Sequence, residues 1–284
     1  MDQKIINLYD SYTHSQIDRK DFMKKLAVLT GSTALALTVL PMLESNYAAA
    51  ATVSDDVVQS EMITFAGVDG EVKALLAMPK GNKKKLGTVV VIHENRGLTP
   101  HIKDVTKRVA AEGFLALGID ALSAFGGTPD DENKGRELIG KLDGEKNLQN
   151  YLKGLAYLRD HKLGNGKTAC MGFCWGGGMA NKLAVADPKL LAAVAYYGAQ
   201  AKAEDVPKIK ATVMLHYGAL DERINAGIPA YEAALKENKK DYQLFIYDGV
   251  NHAFNNDTSP TRYNEAAAKL AWERTIDLFK AKIG

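Results

Sequence analysis

The sequence predicts an α/β protein with a mostly parallel central sheet and helices on both faces. Short apolar runs of strand length alternate with longer stretches of helical period after residue 51, and no fixed repeat period is visible. No internal stretch is rich enough in Gly, Pro or Ser to divide the chain. Residues 88–92 form an unbroken β-branched run, which is typical of a strand buried on both faces. We therefore place that strand near the centre of the sheet.

The individual elements follow in order along the chain. The predicted strands are residues 60–64, 71–78, 88–92, 115–119, 168–172, 192–197, 211–217 and 242–247. The predicted helices are residues 102–112, 131–142, 148–160, 177–186, 231–237 and 262–280. Gly113 is expected to end the first of these helices, because glycine commonly follows a helix C-terminus.

Residues 1–50 are typical of an N-terminal export signal. Basic residues at 19, 20, 24 and 25 precede an apolar run over 26–42, and small residues at 48–51 offer a cleavage site. The string over 19–24 resembles a twin-arginine signal with Lys20 in place of the second arginine. A membrane anchor is the alternative, but Gly31, Ser32, Thr33 and Pro41 make the run too polar. We predict export to the periplasm and a working domain over residues 51–284 with no stable membrane span.

Composition restricts the class of partner. The 284 residues carry a formal net charge of only +2 and no long basic stretch, so the charge pattern needed for nucleic-acid binding is missing. A small-molecule substrate fits this balance better. The two cysteines, Cys170 and Cys174, lie too far apart along a strand to bridge, so at least one free thiol is expected.

The most specific motif is Gly172-Phe173-Cys174-Trp175-Gly176, between a predicted strand and a predicted helix. A nucleophile on a tight strand-to-helix turn needs a strained backbone, and flanking glycines remove side chains that would collide there. The helix N-terminus also favours thiolate over thiol. A buried structural cysteine is the alternative interpretation. The motif predicts that Cys174 is a nucleophile in an α/β-hydrolase fold.

An acid and a base follow the cysteine in the order that this fold requires. Asp221 comes after the predicted strand 211–217, and His252 after the predicted strand 242–247. Each alone could be a loop carboxylate or a core histidine. Because open parallel sheets place their sites at the carboxyl ends of strands, the two together predict a triad with Cys174.

The oxyanion site is expected to use two backbone amides. One belongs to Trp175, directly after the nucleophile, and the other to Asn95, in the loop after the third strand. An oxyanion site of this kind gives Glu94, in the same loop, no role, since a carboxylate beside developing negative charge should hinder the reaction. A surface loop acid is its plain interpretation.

These residues resemble the dienelactone hydrolase family, also called carboxymethylenebutenolidases, over residues 61–279. The resemblance depends on His93-Glu94-Asn95-Arg96-Gly97, on Gly172-Phe173-Cys174-Trp175-Gly176-Gly177, on the Asp221 loop and on Asn251-His252-Ala253-Phe254. It implies a Cys-Asp-His triad and a part for Glu94 in activating the thiol as substrate binds.

The resemblance is incomplete where substrate is concerned. Family members that open dienelactone hold its carboxylate with two arginines, one after the fourth strand and one shortly after the catalytic histidine, and neither position is Arg here. Arg96, Arg223 and Arg262 are alternative anion contacts, each otherwise a solvated surface charge. Phe254, in the histidine loop, is a further expected substrate contact.

The sequence therefore predicts an exported cysteine hydrolase for a small ester or lactone, acting through a thioester acyl-enzyme. No metal or cofactor is expected, because the histidines are scattered and no pair has ligand spacing. A thioesterase or peptidase-like acyl hydrolase could use the same triad. A non-hydrolytic binding protein or thiol sensor, with Cys174 as the reactive thiol, is the alternative from another class.

Overall fold

The computed structural model describes residues 1–14, 17–47 and 52–284. Eight strands form one sheet: β1 (Val58–Ala66), β2 (Glu71–Pro79), β3 (Leu86–Ile92), β4 (Leu115–Ile119), β5 (Gly164–Phe173), β6 (Ala192–Tyr196), β7 (Thr212–Gly218) and β8 (Tyr242–Tyr247). Their spatial order is β1-β2-β4-β3-β5-β6-β7-β8. Strand β2 pairs antiparallel with β1 and β4, whereas β4, β3 and β5 to β8 are parallel. The predicted mostly parallel sheet is confirmed.

Helices cover both faces of this sheet. They are α4 (Pro100–Ala111), α5 (Glu132–Ile139), α6 (Gly144–Asp160), α7 (Trp175–Ala186), α8 (Glu222–Asn225), α9 (Ile228–Glu237) and α10 (Glu265–Ile283), with short 3-10 turns at Ala121–Phe125 and Ala203–Lys208. Alternate residues of β3 enter two separate cores: Val90 packs with α6, α7 and α9, and Val91 packs with α4 and α10. The β-branched run over 88–92 is therefore buried on both faces, as predicted.

Helix boundaries differ from the predicted ones where capping residues decide them. The last helix starts at Glu265 and not at 262, because the Asn264 side chain accepts a hydrogen bond from the amide of Ala267. The helix after Cys174 starts at Trp175, two residues earlier than predicted. That shift places Cys174 directly at the helix N-terminus.

The N-terminal segment folds into three helices, α1 (Gln3–His14), α2 (Arg19–Thr30) and α3 (Thr33–Leu43). They share a small apolar core of their own, which contains Tyr9, Tyr12, Phe22, Leu26 and Leu43. Within the described residues no single helix is long and apolar enough to cross a membrane, and α2 and α3 meet that test only as a pair bent by 109°. The predicted cleavage site at 48–51 lies outside the described residues, so cleavage stays a prediction.

Candidate active site

Cys174 occupies a strained turn between β5 and α7. Its φ of 55° and ψ of −114° are rare for a residue with a side chain. The flanking glycines make this turn possible: a Cβ on Gly172 would lie 2.0 Å from the carbonyl oxygen of Gly176, and one on Gly176 would lie 2.4 Å from that of His93. The expected need for glycine on both sides of the cysteine is therefore seen directly.

The two cysteines have different environments. Both are free thiols, so the expected free thiol is confirmed. Cys170 is fully buried within β5, and burial followed by the charge of Asp187 raises its pKa far above the ordinary range. Cys174 is also largely buried, but it borders a pocket. Of the two sulfurs, only that of Cys174 can meet a small molecule without unfolding the sheet.

His252 and Asp221 form a buried pair beside Cys174. Asp221 follows β7 and His252 follows β8, so neighbouring parallel strands bring them to the same edge of the sheet. The Nδ1 atom of His252 lies 2.5 Å from Oδ2 of Asp221. The Nε2 atom of His252 has no hydrogen-bond partner in the described part of the chain, and its ring nitrogen lies within 4.8 Å of the Cys174 sulfur. The structure thus brings the three predicted triad residues together.

The loop after β3 forms another side of the pocket and is held by His93. Its Nδ1–H donates to the carbonyl of Glu94, and its Nε2 accepts from the amide of Ala121 at 3.1 Å. Burial lowers the pKa of His93, which agrees with a neutral ring. The same ring stacks on Trp175 at 5.2 Å between centroids. His93 therefore ties this loop to the turn that carries Cys174.

The remaining predicted residues of this loop are placed as follows. Asn95 and Trp175, the expected oxyanion donors, both line the pocket with Cys174. Glu94 borders a small crevice that also contains Cys174 and His252. Its Oε2 atom accepts a hydrogen bond from Nδ2 of Asn256 at 2.9 Å. The carboxylate is thus held in place close to the triad.

The three arginines considered for anion binding all contact the N-terminal helix. Arg96 is buried, donates to Tyr9 Oη at 2.9 Å and to Ser45 Oγ at 2.8 Å, and forms an ion pair with Glu132. Arg262 is buried with its guanidinium over the Tyr9 ring.

Arg223 has a different setting from these two. Its Nε lies 3.2 Å from Oδ2 of Asp10, and its side chain also lines the main pocket. Of the three arginines, Arg223 is therefore the one that combines a half-exposed side chain with the pocket wall.

The expected substrate contact of Phe254 needs correction. Its ring is fully buried and packs against Tyr197 at 5.4 Å and Tyr247 at 5.1 Å between centroids, and it does not line the pocket. Tyr197 stands between Phe254 and the pocket, with its ring 4.9 Å from that of His252. Phe254 packs behind this tyrosine, and Tyr197 is the ring that lines the pocket.

His14 and Asp10 are site residues that the sequence did not reveal. His14 Nε2 lies 2.9 Å from Cys174 Sγ, and its Nδ1 lies 3.0 Å from Oδ1 of Asp10. The leader-like composition of residues 1–50 predicts a removable segment and therefore gives neither residue a place in the site. The spacing of Ile5, Tyr9 and Tyr12, which places all three on one buried face of α1, is the signal that would have marked a packed helix.

One group of metal-ligand side chains occurs in the described ranges. The ligand atoms of His14, Cys174 and His252 all lie within 4.8 Å of one another. Thiolate and imidazole are the ligands that Zn²⁺ prefers. The two histidines also have the carboxylate partners, Asp10 and Asp221, that commonly orient zinc-binding imidazoles. This arrangement could hold a transition metal, which the scattered histidines of the sequence did not predict.

The pocket beside Cys174 has a volume of about 740 Å³, within the range of small-molecule sites. Its wall combines apolar side chains such as Met179 and Ile139 with the cationic side chains of Arg136, Lys182 and Arg223. Such a mixture suits a small organic molecule that carries polar or anionic groups.

The family is decided by comparison with known proteins. A family model described as the dienelactone hydrolase family matches residues 72–283. The chain belongs to the dienelactone hydrolase family. The resemblance drawn from the motifs and the predicted α/β-hydrolase fold are both confirmed. As a dienelactone hydrolase family member, the chain is a hydrolase of the class that acts on ester or lactone bonds.

Individual relatives agree with this assignment. A Saccharolobus solfataricus protein provisionally named carboxymethylenebutenolidase is 32% identical over 249 residues, which cover 74% of this chain and 94% of the relative. An Escherichia coli K12 protein provisionally named as a hydrolase fragment is 44% identical over 112 residues, 38% of this chain and 96% of the fragment.

A solved Klebsiella pneumoniae structure, provisionally named a dienelactone hydrolase, superposes with a TM-score of 0.72 at 26% identity. The match covers 78% of this chain and 98% of that one.

The N-terminal helices lie outside the hydrolase match. The family model begins at residue 72, and a second model, described as YqhI-like, matches residues 1–31. Helices α1 and α2 thus carry a sequence signal separate from that of the hydrolase fold.

Proposed function

We propose that this dienelactone hydrolase family member cleaves a small ester or lactone through a Cys174-Asp221-His252 triad and a thioester acyl-enzyme. One observation carries the proposal: the cysteine on the strained turn lies beside a histidine whose other nitrogen is bonded to a buried carboxylate. This is the arrangement that lets a histidine assist a nucleophile and remain in one tautomer.

The reaction follows from these positions. The sulfur of Cys174 attacks the carbonyl carbon, and the carbonyl electron pair moves onto oxygen, where the backbone amides of Trp175 and Asn95 are proposed to hold it. Collapse breaks the C–O bond, the departing alkoxide takes up the proton that the Cys174 thiol gave up, and the alcohol leaves while a thioester remains on Cys174. His252, oriented by Asp221, then removes a proton from water, which attacks the thioester and releases the acid. Glu94 is assigned a part in activating the thiol as substrate binds.

The substrate class follows from the pocket. Its volume of about 740 Å³ suits a small molecule, and three cations on its wall against one carboxylate, that of Glu137, favour an ester or lactone with an acidic group. Lys182, exposed on α7 one turn beyond Gly178, is the cation best placed to meet such a group without breaking a contact to α1. In this proposal, cations at other positions of the pocket wall take over the contact with the acidic group that two arginines make in the family.

Hydrolysis of a panel of activated esters and lactones tests the proposal. The full chain is compared with Cys174→Ala and His252→Ala, and Cys170→Ala is the matched control because that thiol is buried away from the pocket. We expect kcat/KM to fall by about 10³-fold or more in the two triad variants and to change little in the control. A wild-type protein that labels with a thiol reagent yet hydrolyses no member of the panel would favour the thiol-sensor alternative.

Export is a separate proposal, and the fold restricts its form. Because α1 contacts the pocket, an enzyme cut near residue 51 would lose one pocket wall. We propose that the chain is exported in folded form, as the twin-arginine-like string suggests, and that α1 is retained, in place of the predicted cleavage near residue 51, because it lines the pocket. The intact mass of protein recovered from the periplasm tests this, since a cut chain would be lighter by about fifty residues.

A further inference from the structure

Two aspartate–histidine pairs converge on one sulfur. His252 is hydrogen-bonded to the Asp221 carboxylate at 2.5 Å, whereas Nδ1 of His14 lies 2.9 Å from the backbone carbonyl oxygen of Asp10 and 3.0 Å from its carboxylate Oδ1. The two imidazole rings meet edge to face with centroids 4.6 Å apart. It is His14, and not His252, whose Nε2 lies at hydrogen-bond distance from Cys174 Sγ. The N-terminal helix thus presents to the nucleophile a second imidazole, with an aspartate carboxylate beside its Nδ1 atom.

Polar contacts from several loops fix α1 in this position. The Asn95 side chain donates to the carbonyl of Thr13 at 2.8 Å, and Gln3 donates to the Asn251 side chain, next to His252. Arg223 pairs with Asp10 at 3.2 Å. Contacts of this kind hold a histidine within the narrow limits that catalysis requires.

The helix is a wall of the pocket and does not fill it. Thr13 and His14 line the same pocket of about 740 Å³ that Cys174 and Tyr197 line. A small ester can therefore reach the sulfur while His14 stays in place. The open pocket therefore allows His14 to take part in the reaction, which a helix that only blocked the site could not do.

We propose that His14 is a second catalytic histidine: it pairs with the sulfur of Cys174 in the resting enzyme and protonates the departing alcohol, so that His252 is left to activate water. The inference rests on the proposed Cys174 hydrolase mechanism. It assigns separate steps to two histidines, one at hydrogen-bond distance from the reacting sulfur and the other within 4.8 Å of it.

The hydrogen-bond partners of each ring support this division. Both nitrogens of His14 face groups that can accept a proton: Nδ1 faces the backbone carbonyl and the carboxylate of Asp10, and Nε2 faces the sulfur of Cys174. The Nε2 atom of His252 has no partner among the described residues, so its lone pair is available to water.

Protons balance over the cycle. The thiolate forms the S–C bond, the C–O bond of the ester breaks, and the departing alkoxide takes the Nε2 proton of His14. His252 then accepts a proton from water, the new O–C bond forms, and the C–S bond breaks to return the thiolate. The proton on His252 passes to His14 through water in the pocket, which restores the resting pair. The net change is ester plus water to acid plus alcohol.

The dependence of rate on the leaving group tests this assignment. Alkyl and p-nitrophenyl esters of one acid are compared in the full chain and in His14→Ala and His14→Gln. An alkoxide needs a proton to leave, whereas p-nitrophenolate does not. A loss of thiolate would lower the rates for both esters equally, so it would cancel in the ratio of the two rates. We expect the ratio of alkyl to p-nitrophenyl kcat/KM to fall by about 10²-fold in both variants. Lys4→Ala, on the exposed side of α1, is the matched control and should leave the ratio unchanged.

The outcomes separate this inference from the proposed function. An unchanged ratio in both His14 variants, or faster turnover in them, would overturn the inference, while loss of activity in Cys174→Ala would still support the triad. If Cys174→Ala keeps full activity, the proposed mechanism itself fails. Circular dichroism of each variant confirms that the fold is retained, and His14→Gln provides the comparison if His14→Ala loosens α1.

Discussion

His252 Nδ1 and Asp221 Oδ2 lie 2.5 Å apart, although 31 residues separate them in the chain. Both side chains are buried, so water does not compete for this hydrogen bond. The bond places the proton of the neutral imidazole on Nδ1 and leaves the Nε2 lone pair directed to the pocket. The tautomer of His252 thus depends on a single carboxylate.

We expect Asp221→Asn to lower kcat by about 10³- to 10⁴-fold, because the amide favours the wrong tautomer of His252. Steady-state hydrolysis of the best ester of the panel measures this. Asp248→Asn is a matched control, since Asp248 is exposed in the turn that precedes the histidine loop. Retained activity in Asp221→Asn would mean that His252 does not need its carboxylate.

The space around the glycines near Cys174 predicts how alanine substitutions there change the free energy of unfolding. A Cβ on Gly172 would lie 2.0 Å from a backbone oxygen, so we expect Gly172→Ala to lower the free energy of unfolding by about 3 kcal/mol or more. At Gly178 the nearest atom to a Cβ lies 3.5 Å away, and alanine there should gain about 0.5–1 kcal/mol from its helix preference. Urea unfolding compares the two variants, and equal effects would contradict the steric argument.

His216 predicts a loss of stability in acid. Burial and then the charge of Arg274 lower its pKa from 6.5 to about 3. His216 therefore takes up a proton near pH 6.5 in the unfolded chain but only near pH 3 in the folded chain. The free energy of unfolding falls as the pH falls from 6.5 to about 3. One such group contributes a slope of up to about 1.4 kcal/mol per pH unit.

The slope is measured by urea unfolding between pH 4 and pH 7 in wild type and His216→Gln. The variant is expected to show the smaller slope, whatever its absolute stability, because glutamine takes up no proton in this range. Parallel slopes in the two proteins would show that His216 is not a source of the acid sensitivity.

The cluster of His14, Cys174 and His252 predicts inhibition by Zn²⁺. We expect Zn²⁺ to inhibit ester hydrolysis reversibly, with EDTA restoring activity, and to inhibit less as the pH falls because the ligands become protonated. His14→Ala should raise the inhibiting concentration by about tenfold or more, since it removes one of three ligands. Equal sensitivity of wild type and His14→Ala would place the metal elsewhere.

The sheet and the convergence of Cys174, Asp221 and His252 could be predicted from the sequence because both depend on local patterns. The apolar runs mark the strands, and the glycines around Cys174 mark the turn, whatever the rest of the chain does. Asp221 and His252 were found because a parallel sheet brings the ends of consecutive strands to one edge.

The contact of His14 with Cys174 could not be predicted in this way. It joins residues 160 apart and depends on how α1 docks, which follows from polar contacts such as those of Asn95 and Arg223 and from no repeating pattern. The predicted substrate contact of Phe254 was wrong for a related reason. Its position after His252 was suggestive, but the packing of Tyr197 decided which ring faces the pocket.

The buried guanidinium of Arg96 connects three distant stretches of the chain, so the effect of a substitution in one of them depends on the residues in the other two. Its partners Tyr9, Ser45 and Glu132 come from α1, from the segment after α3 and from α5. Because the guanidinium cannot shed its charge, each lost partner makes the remaining ones more important. Substitutions at these positions should therefore not add, and a change tolerated in one homologue can be harmful in another whose partner residues have drifted.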